Sequence, residues 1–230
     1  MSLPVNCSNI LINQPFTTLN DFTISFTYTM NTSGTDTITN YGFSVFFIDG
    51  SISSLTGGGT GPGLGVISSA GSAVNGVFAT VGFDITGLFS KLLSIPPFTT
   101  GNPIQVSNSI GLRIAPNFTY AGSYYVFPLN PNLYGPLGPV PTPYAFQTVR
   151  VNVRKNFTEI DVYSLNNETY VKLASFNFNL SALPSTAKVG IGYSGDTLFE
   201  VKNITLNYTW GLDTKSFILY TTLSLLDCKL

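Results

Sequence analysis

Histidine is absent from this 230-residue chain, and charge is scarce: only 9% of residues are Asp, Glu, Lys or Arg, against about 25% in typical soluble proteins. The missing histidine removes the commonest general base near neutral pH and the commonest transition-metal ligand. It also rules out a Ser-His-Asp nucleophilic triad. A net charge of −1 gives no bulk field to recruit nucleic acid or an anionic membrane. No Lys or Arg precedes Lys91, whereas Asp21, Asp36, Asp49 and Asp84 do, and Arg150, Arg154 and Lys155 form the only basic group. That group reads as a solvated strand end, so no nucleic-acid partner is expected. No window of 18 apolar residues exists, so no membrane span is expected. The first residues, MSLPVNCSNILINQPF, lack a basic stretch followed by an apolar core and do not read as a signal peptide.

What fills the gap is Ser, Thr, Asn and apolar residues, 43% of the chain being hydrophobic. Their arrangement is period-2. In Phe22–Met30 the apolar set is Phe22, Ile24, Phe26, Tyr28 and Met30, with Thr and Ser between. In Gln147–Arg154, Val149, Val151 and Val153 alternate with Arg150, Asn152 and Arg154. In Val201–Trp210 the buried phase changes after Val201, passing to Ile204, Leu206, Tyr208 and Trp210. Further strands are expected at Tyr41–Gly50, Gly63–Ile67, Val77–Asp84, Ser109–Ile114, Thr158–Tyr163, Tyr170–Phe178 and Lys188–Tyr193. One apolar and one polar face is the pattern of an antiparallel sheet packed on one side. The fold class expected is all-β: a single antiparallel two-sheet sandwich spanning residues 1–230.

Three segments interrupt the strands. Gly57–Gly65 (GGGTGPGLG) is a loop, without the Gly-Lys-Ser/Thr of a phosphate loop. Residues 127–144 hold six prolines and read as a long extended loop, either a contact surface or a stiff covering flap. Residues 213–230 are a C-terminal extension that reads as a short amphipathic helix or an edge strand.

Two cysteines, Cys7 and Cys228, lie at opposite ends of the chain. Domain termini often lie close together, so a disulfide and two buried thiols both remain open. Eight Asn-x-Ser/Thr sequons are present, at Asn6, Asn31, Asn117, Asn156, Asn167, Asn179, Asn203 and Asn207. Of these, Asn31, Asn117, Asn156 and Asn167 are the glycosylation candidates.

In order, these segments resemble the L-type (legume-like) lectin family, with its concanavalin A-like jelly-roll sandwich. Tyr41–Asp49 is similar to the family's D-G-x-A-F-F strand, Gly63–Val66 to G-x-L-G-L, Val81–Asp84 (VGFD) to V-E-F-D, and Ser109–Ile114 (SIGLRI) to H-I-G-I-D-V. Val189–Ser194 resembles V-G-F-S-A, and Ile204–Gly211 the closing I-x-x-W-x-F strand. The resemblance covers residues 20–211. It implies glycan binding on the loops, but the family's functional residues transfer poorly. The sugar-binding aspartate falls on Tyr41, the first metal carboxylate on Gly82 and the shared asparagine on Leu88, and the histidine ligand cannot exist in a chain without histidine. Asp84 alone matches, and one carboxylate does not make a calcium site. No metal or other cofactor is therefore expected, and Asp84 reads as a strand-end residue. The carbohydrate-binding candidates are Asn40, Tyr41, Gly59, Gly63, Tyr193 and Asp196.

The same fold houses glucanases with an E-x-D-x-(x)-E strand. Glu159 and Asp161 share a strand face in that pattern, but the third carboxylate is Tyr163, so no enzymatic activity is expected. The leading expectation is a surface-exposed structural protein, at a virion surface or otherwise extracellular, meeting copies of itself or capsid proteins. The alternative is a metal-independent glycan-binding module.

Overall fold

The computed structural model describes residues 6–30, 42–59, 61–68, 73–94, 98–125, 147–154, 156–166, 168–180, 182–195, 199–210, 213–219 and 223–225. In chain order the strands are β1 (Asn6–Thr17), β2 (Phe22–Met30), β3 (Gly42–Asp49), β4 (Val77–Asp84), β5 (Ser109–Ile114), β6 (Thr119–Tyr125), β7 (Gln147–Arg154), β8 (Glu159–Asn166), β9 (Thr169–Asn177), β10 (Thr186–Gly195), β11 (Phe199–Trp210), β12 (Asp213–Leu219) and β13 (Leu223–Leu225). All pairings between them are antiparallel. Sheet A has the order β1-β10-β3-β4-β5-β6. Sheet B has the order β12-β11-β2-β7-β8-β9, with β13 also on β11.

The alternating segments bury the faces that their patterns expose to sequence reading. Phe22, Ile24, Phe26 and Tyr28 of β2 and Val149, Val151 and Val153 of β7 all point into the space between the sheets. The phase change in β11 is a β-bulge. The register on β2 slips between Lys202 and Thr205, and Asn203 takes φ 54°. Val201 and Ile204 therefore both reach the core although three positions apart.

The inter-sheet core is strongly aromatic. Phe43 stacks on Phe83 with ring centroids 4.3 Å apart and on Phe199 at 5.2 Å. Tyr193 stacks on Phe199 at 4.9 Å with the rings 8° from parallel. Each such pair adds about 0.5–1.5 kcal/mol beyond area burial.

Sheet A is covered on both faces, which sheet B is not. Nearly every residue of β3, β4 and β10 is buried. A second apolar cluster, including Phe46, Ile48, Leu64, Val66, Phe89 and Phe98, lies between the outer face of sheet A and the loops. Those loops are the described residues of the segment between β3 and β4 and of residues 85–108.

Two expectations need correction, and two strands come as additions. Gly63–Ile67 is not a strand: a 3-10 turn covers Gly61–Gly63, and only Ile67 makes an isolated bridge, to Ala73. Its apolar residues are buried by laying a loop on sheet A, not by joining it. Residues 6–17 and 119–125 form strands that no clean alternation announces. The helical alternative for the C-terminal extension fails over 213–219, which pairs with β11 as an edge strand.

Candidate functional site

The register brings several chain exits to one end of sheet A. Gly42, the first residue of β3, pairs with Asp84, the last of β4, and with Ser194 of β10. Asp84 pairs with Ser109 at the start of β5, and Ser109 with Tyr125 at the end of β6. The chain therefore leaves or enters the sheet here for residues 31–41, 85–108, 126–146 and 196–198. Asn40, Tyr41 and Asp196 lie outside the described residues, as does the proline-rich segment 127–144. The described residues next to them, Gly42 and Gly195, are both at this end.

The glycine-rich loop is stapled over the same end. The Gly61 N–H donates to Ser194 Oγ at 2.7 Å, Ser44 Oγ donates to the Leu64 carbonyl at 2.9 Å, and Asn9 Nδ2 to the Gly65 carbonyl at 3.3 Å. Gly63 is buried, and a Cβ there would sit 3.0 Å from Ile67 Cβ. Gly59 is half-buried against Ser68. Tyr193 must be removed from the candidates. Its side chain is 1% exposed and packs on Phe199 in the inter-sheet core, so it offers no face to a sugar.

Asp84 is a buried turn anchor. Its Oδ1 accepts the Gly87 N–H at 2.8 Å and its Oδ2 the Ser90 N–H at 3.0 Å. Burial pushes its carboxyl up to about 7, against the opposing pull of the Ser90, Gly87, Phe89 and Leu88 amides. Across the same face lies Arg113, fully buried, which sequence reading passed over. Its Nε donates to the Phe89 carbonyl at 2.7 Å, Nη1 to Phe118 at 3.0 Å and Nη2 to Lys91 at 3.2 Å. The guanidinium carbon lies 4.7 Å from the Phe98 ring centroid and 5.5 Å from that of Phe89, within cation–π range. Burial pulls Arg113 down to about 10, with the Asp84 charge opposing that shift, so it remains a cation at neutral pH. The signal that could have found it is the lone basic residue between Leu112 and Ile114 in an otherwise apolar strand.

The paired-metal site implied by the legume-like resemblance does not fit these residues. A Cβ at Gly82 would lie 2.5 Å from Phe89 Cδ1 and 2.8 Å from Leu64 Cδ1, leaving no room for a carboxylate. Both Asp84 oxygens are taken by backbone amides. The guanidinium of Arg113 already puts a positive charge on this face. Among the described residues no three of Cys, Asp and Glu come together.

The glucanase-like strand is β8, on the outer face of sheet B. Asp161 is 0% exposed there, while its partners Arg154 and Lys172 are 39% and 46% exposed. Asp161 pairs with Arg154, receives Lys172 Nζ at 3.0 Å and accepts the Ser175 hydroxyl at 2.6 Å. Burial works to raise its carboxyl, but the Ser175 hydroxyl, Lys172 and Arg154 outweigh it and hold it below the ordinary carboxylate range. Glu159 shares Arg154 at 3.0 Å. A general acid needs a raised value, so this cluster is built as an ion-pair network.

Among the glycosylation candidates, Asn117 and Asn156 are exposed in turns, Asn156 at φ 57°; Asn31 and Asn167 lie outside the described residues. Cys7 is on β1, paired with Ser194, and Cys228 lies outside the described residues. Among the described residues no helix is long and apolar enough to cross a membrane.

No family model matches the sequence, and no curated protein matches it. Solved structures do. Peanut lectin with a nine-residue peptide is 18% identical, covering 96% of this chain and 85% of that one, with a TM-score of 0.58. Winged bean acidic lectin complexed with methyl-α-D-galactose is 13% identical over 88% and 79% of the two chains, TM-score 0.59. Lectin UEA-II complexed with galactose is 13% identical over 90% and 83%, TM-score 0.58. At these identities the likeness speaks for architecture, and the architecture of this chain is the concanavalin A-like sandwich of the legume lectins.

Proposed function

We propose that this chain is a non-enzymatic carbohydrate-binding module that works without a bound metal. The observation that carries the reading is the convergence of four chain exits and the glycine-rich loop on one end of a lectin-type sheet. Loops held by a rigid scaffold are where binding residues concentrate. Proteins of this fold named above are complexed with galactose and a galactoside. Asn40 and Asp196 supply amide and carboxylate hydrogen-bonding groups, and Tyr41 an aromatic face of the kind that sugar rings stack on. Among the described residues no three of Cys, Asp and Glu come together, and the Asp161 network is tied into ion pairs.

A glycan array probed with the full chain, with and without EDTA, tests this. Retention of one glycan class in both conditions supports the module. Absence of binding in both rejects it.

The composition favours a second reading, a structural subunit at a virion or cell surface that assembles with itself. A surface this poor in charge has little self-repulsion to oppose association. Native mass spectrometry at rising concentration separates the two, since a closed multimer without glycan binding favours the subunit.

A further inference from the structure

The loop layer over sheet A is held by two buried polar side chains that grip the same stretch of backbone. Asp84 takes amides, from Gly87 and Ser90. Arg113 takes carbonyls, from Phe89, Lys91 and, across the β5–β6 connection, Phe118. Backbone bonds within the segment link Leu92 to Asn102 and Asn102 to Ser90, so order at residues 87–91 is passed on to 102. Three carbonyl oxygens around a buried positive charge is the coordination that a hard cation would take from such loops. Here the charge is covalently part of β5, and the rings of Phe89, Phe98 and Tyr120 close around it.

We propose that Arg113 is the resident cation of this loop layer, a positioning residue that orders residues 86–94 and 98–102 in place of a divalent metal. Gly82 and Gly111 are the complement on the sheet. Their missing side chains let the Phe89 ring and Ser90 close onto strands β4 and β5, which brings the Phe89 carbonyl within reach of the guanidinium. The proposal concerns loop order, so it stands or falls separately from glycan binding.

Hydrogen exchange of the full chain, followed amide by amide, tests it. In the wild-type protein, EDTA and millimolar calcium or manganese leave protection at Gly87, Ser90, Leu92 and Asn102 unchanged. Arg113→Met speeds exchange at these amides by roughly tenfold or more, as loss of charge-assisted hydrogen bonds predicts, while Val151 and Val162 in sheet B stay protected. Arg113→Lys keeps the charge but not the three-way fork, and recovers only part of the protection. Faster exchange on adding EDTA, or slower exchange on adding metal, overturns the proposal. So does wild-type protection in Arg113→Met. If Arg113→Met does not fold, the metal arm and Arg113→Lys decide by the same criteria.

Discussion

Arg113 and Asp84 hold the two ends of one peptide group, the Phe89–Ser90 unit: the guanidinium donates to its carbonyl at 2.7 Å, and the Asp84 carboxyl group accepts its N–H at 3.0 Å. The guanidinium fixes one dipole end and the carboxyl group the other. Both side chains are buried, so neither bond competes with bulk water.

Asp84 makes stability depend on pH in an unusual direction. Its folded value, about 7, lies above the ordinary 3.8, so the native state binds this proton more tightly than the unfolded one. Its contribution is therefore complete below 3.8 and is lost as pH rises through about 7. Asp161 and Asp49 are lowered in the fold, so their contribution is present above 3.8 and is lost as pH falls further. The expected melting profile peaks on the acid side of neutrality, declines between about pH 4 and 7, and levels off above that. Calorimetry across pH checks this, and Asp84→Asn flattens the neutral limb while leaving the acid limb.

Gly82 has no space for a side chain. Gly82→Ala drives a Cβ into the Phe89 ring and costs about 1–3 kcal/mol in chemical denaturation. Gly82→Glu restores the carboxylate of the legume-like pattern but gives no calcium-dependent rise in melting temperature, because Asp84 and Arg113 remain committed.

In the outer ion-pair network the two signs are unequal. Asp161→Ala removes a fully buried hub and costs about 2–3 kcal/mol, since Ser175 and two cations lose their acceptor. Lys172→Ala removes a half-exposed partner and costs about 0–1 kcal/mol. Urea titration of both variants gives the ratio, and equal losses would contradict the assignment of Asp161 as the hub.

Tyr193 belongs to packing. Tyr193→Ala opens the stack with Phe199 and costs about 3–5 kcal/mol. At temperatures where the variant is folded, its glycan profile on an array matches wild type. A selective loss of one glycan at unchanged stability would return Tyr193 to the binding site.

Much of the fold was legible because sheet B meets water on one side. Val149, Val151 and Val153 alternate with polar residues, and that period alone locates β7 and its inward face. Even the β11 bulge shows in sequence, as the step from Val201 to Ile204. Residues 6–17 and 119–125 were not legible as strands. β1 follows register shifts on β10 around Ile12 and Phe16, and Thr119–Tyr125 has no clean apolar alternation. Gly63–Ile67 misled for the opposite reason: its apolar residues are buried, but in a loop laid on sheet A rather than in a strand. Asp84 was read correctly as a strand-end residue, and Tyr193 incorrectly as a surface ring, because period-2 reasoning on a sheet covered on both faces does not say which face is the solvent face.

The sequence by itself determined the strand periodicity, the lack of histidine chemistry and the mismatch with the legume-like metal carboxylates, since these depend on residue identity and local spacing. Only the tertiary structure decided that sheet A is roofed by loops, that Asp84 and Arg113 grip the same segment, and that Asp161 is a buried hub. Those facts depend on pairings between residues 22 to 29 positions apart or across strands, and on which of two faces the chain covers. Local pattern carries no information about either.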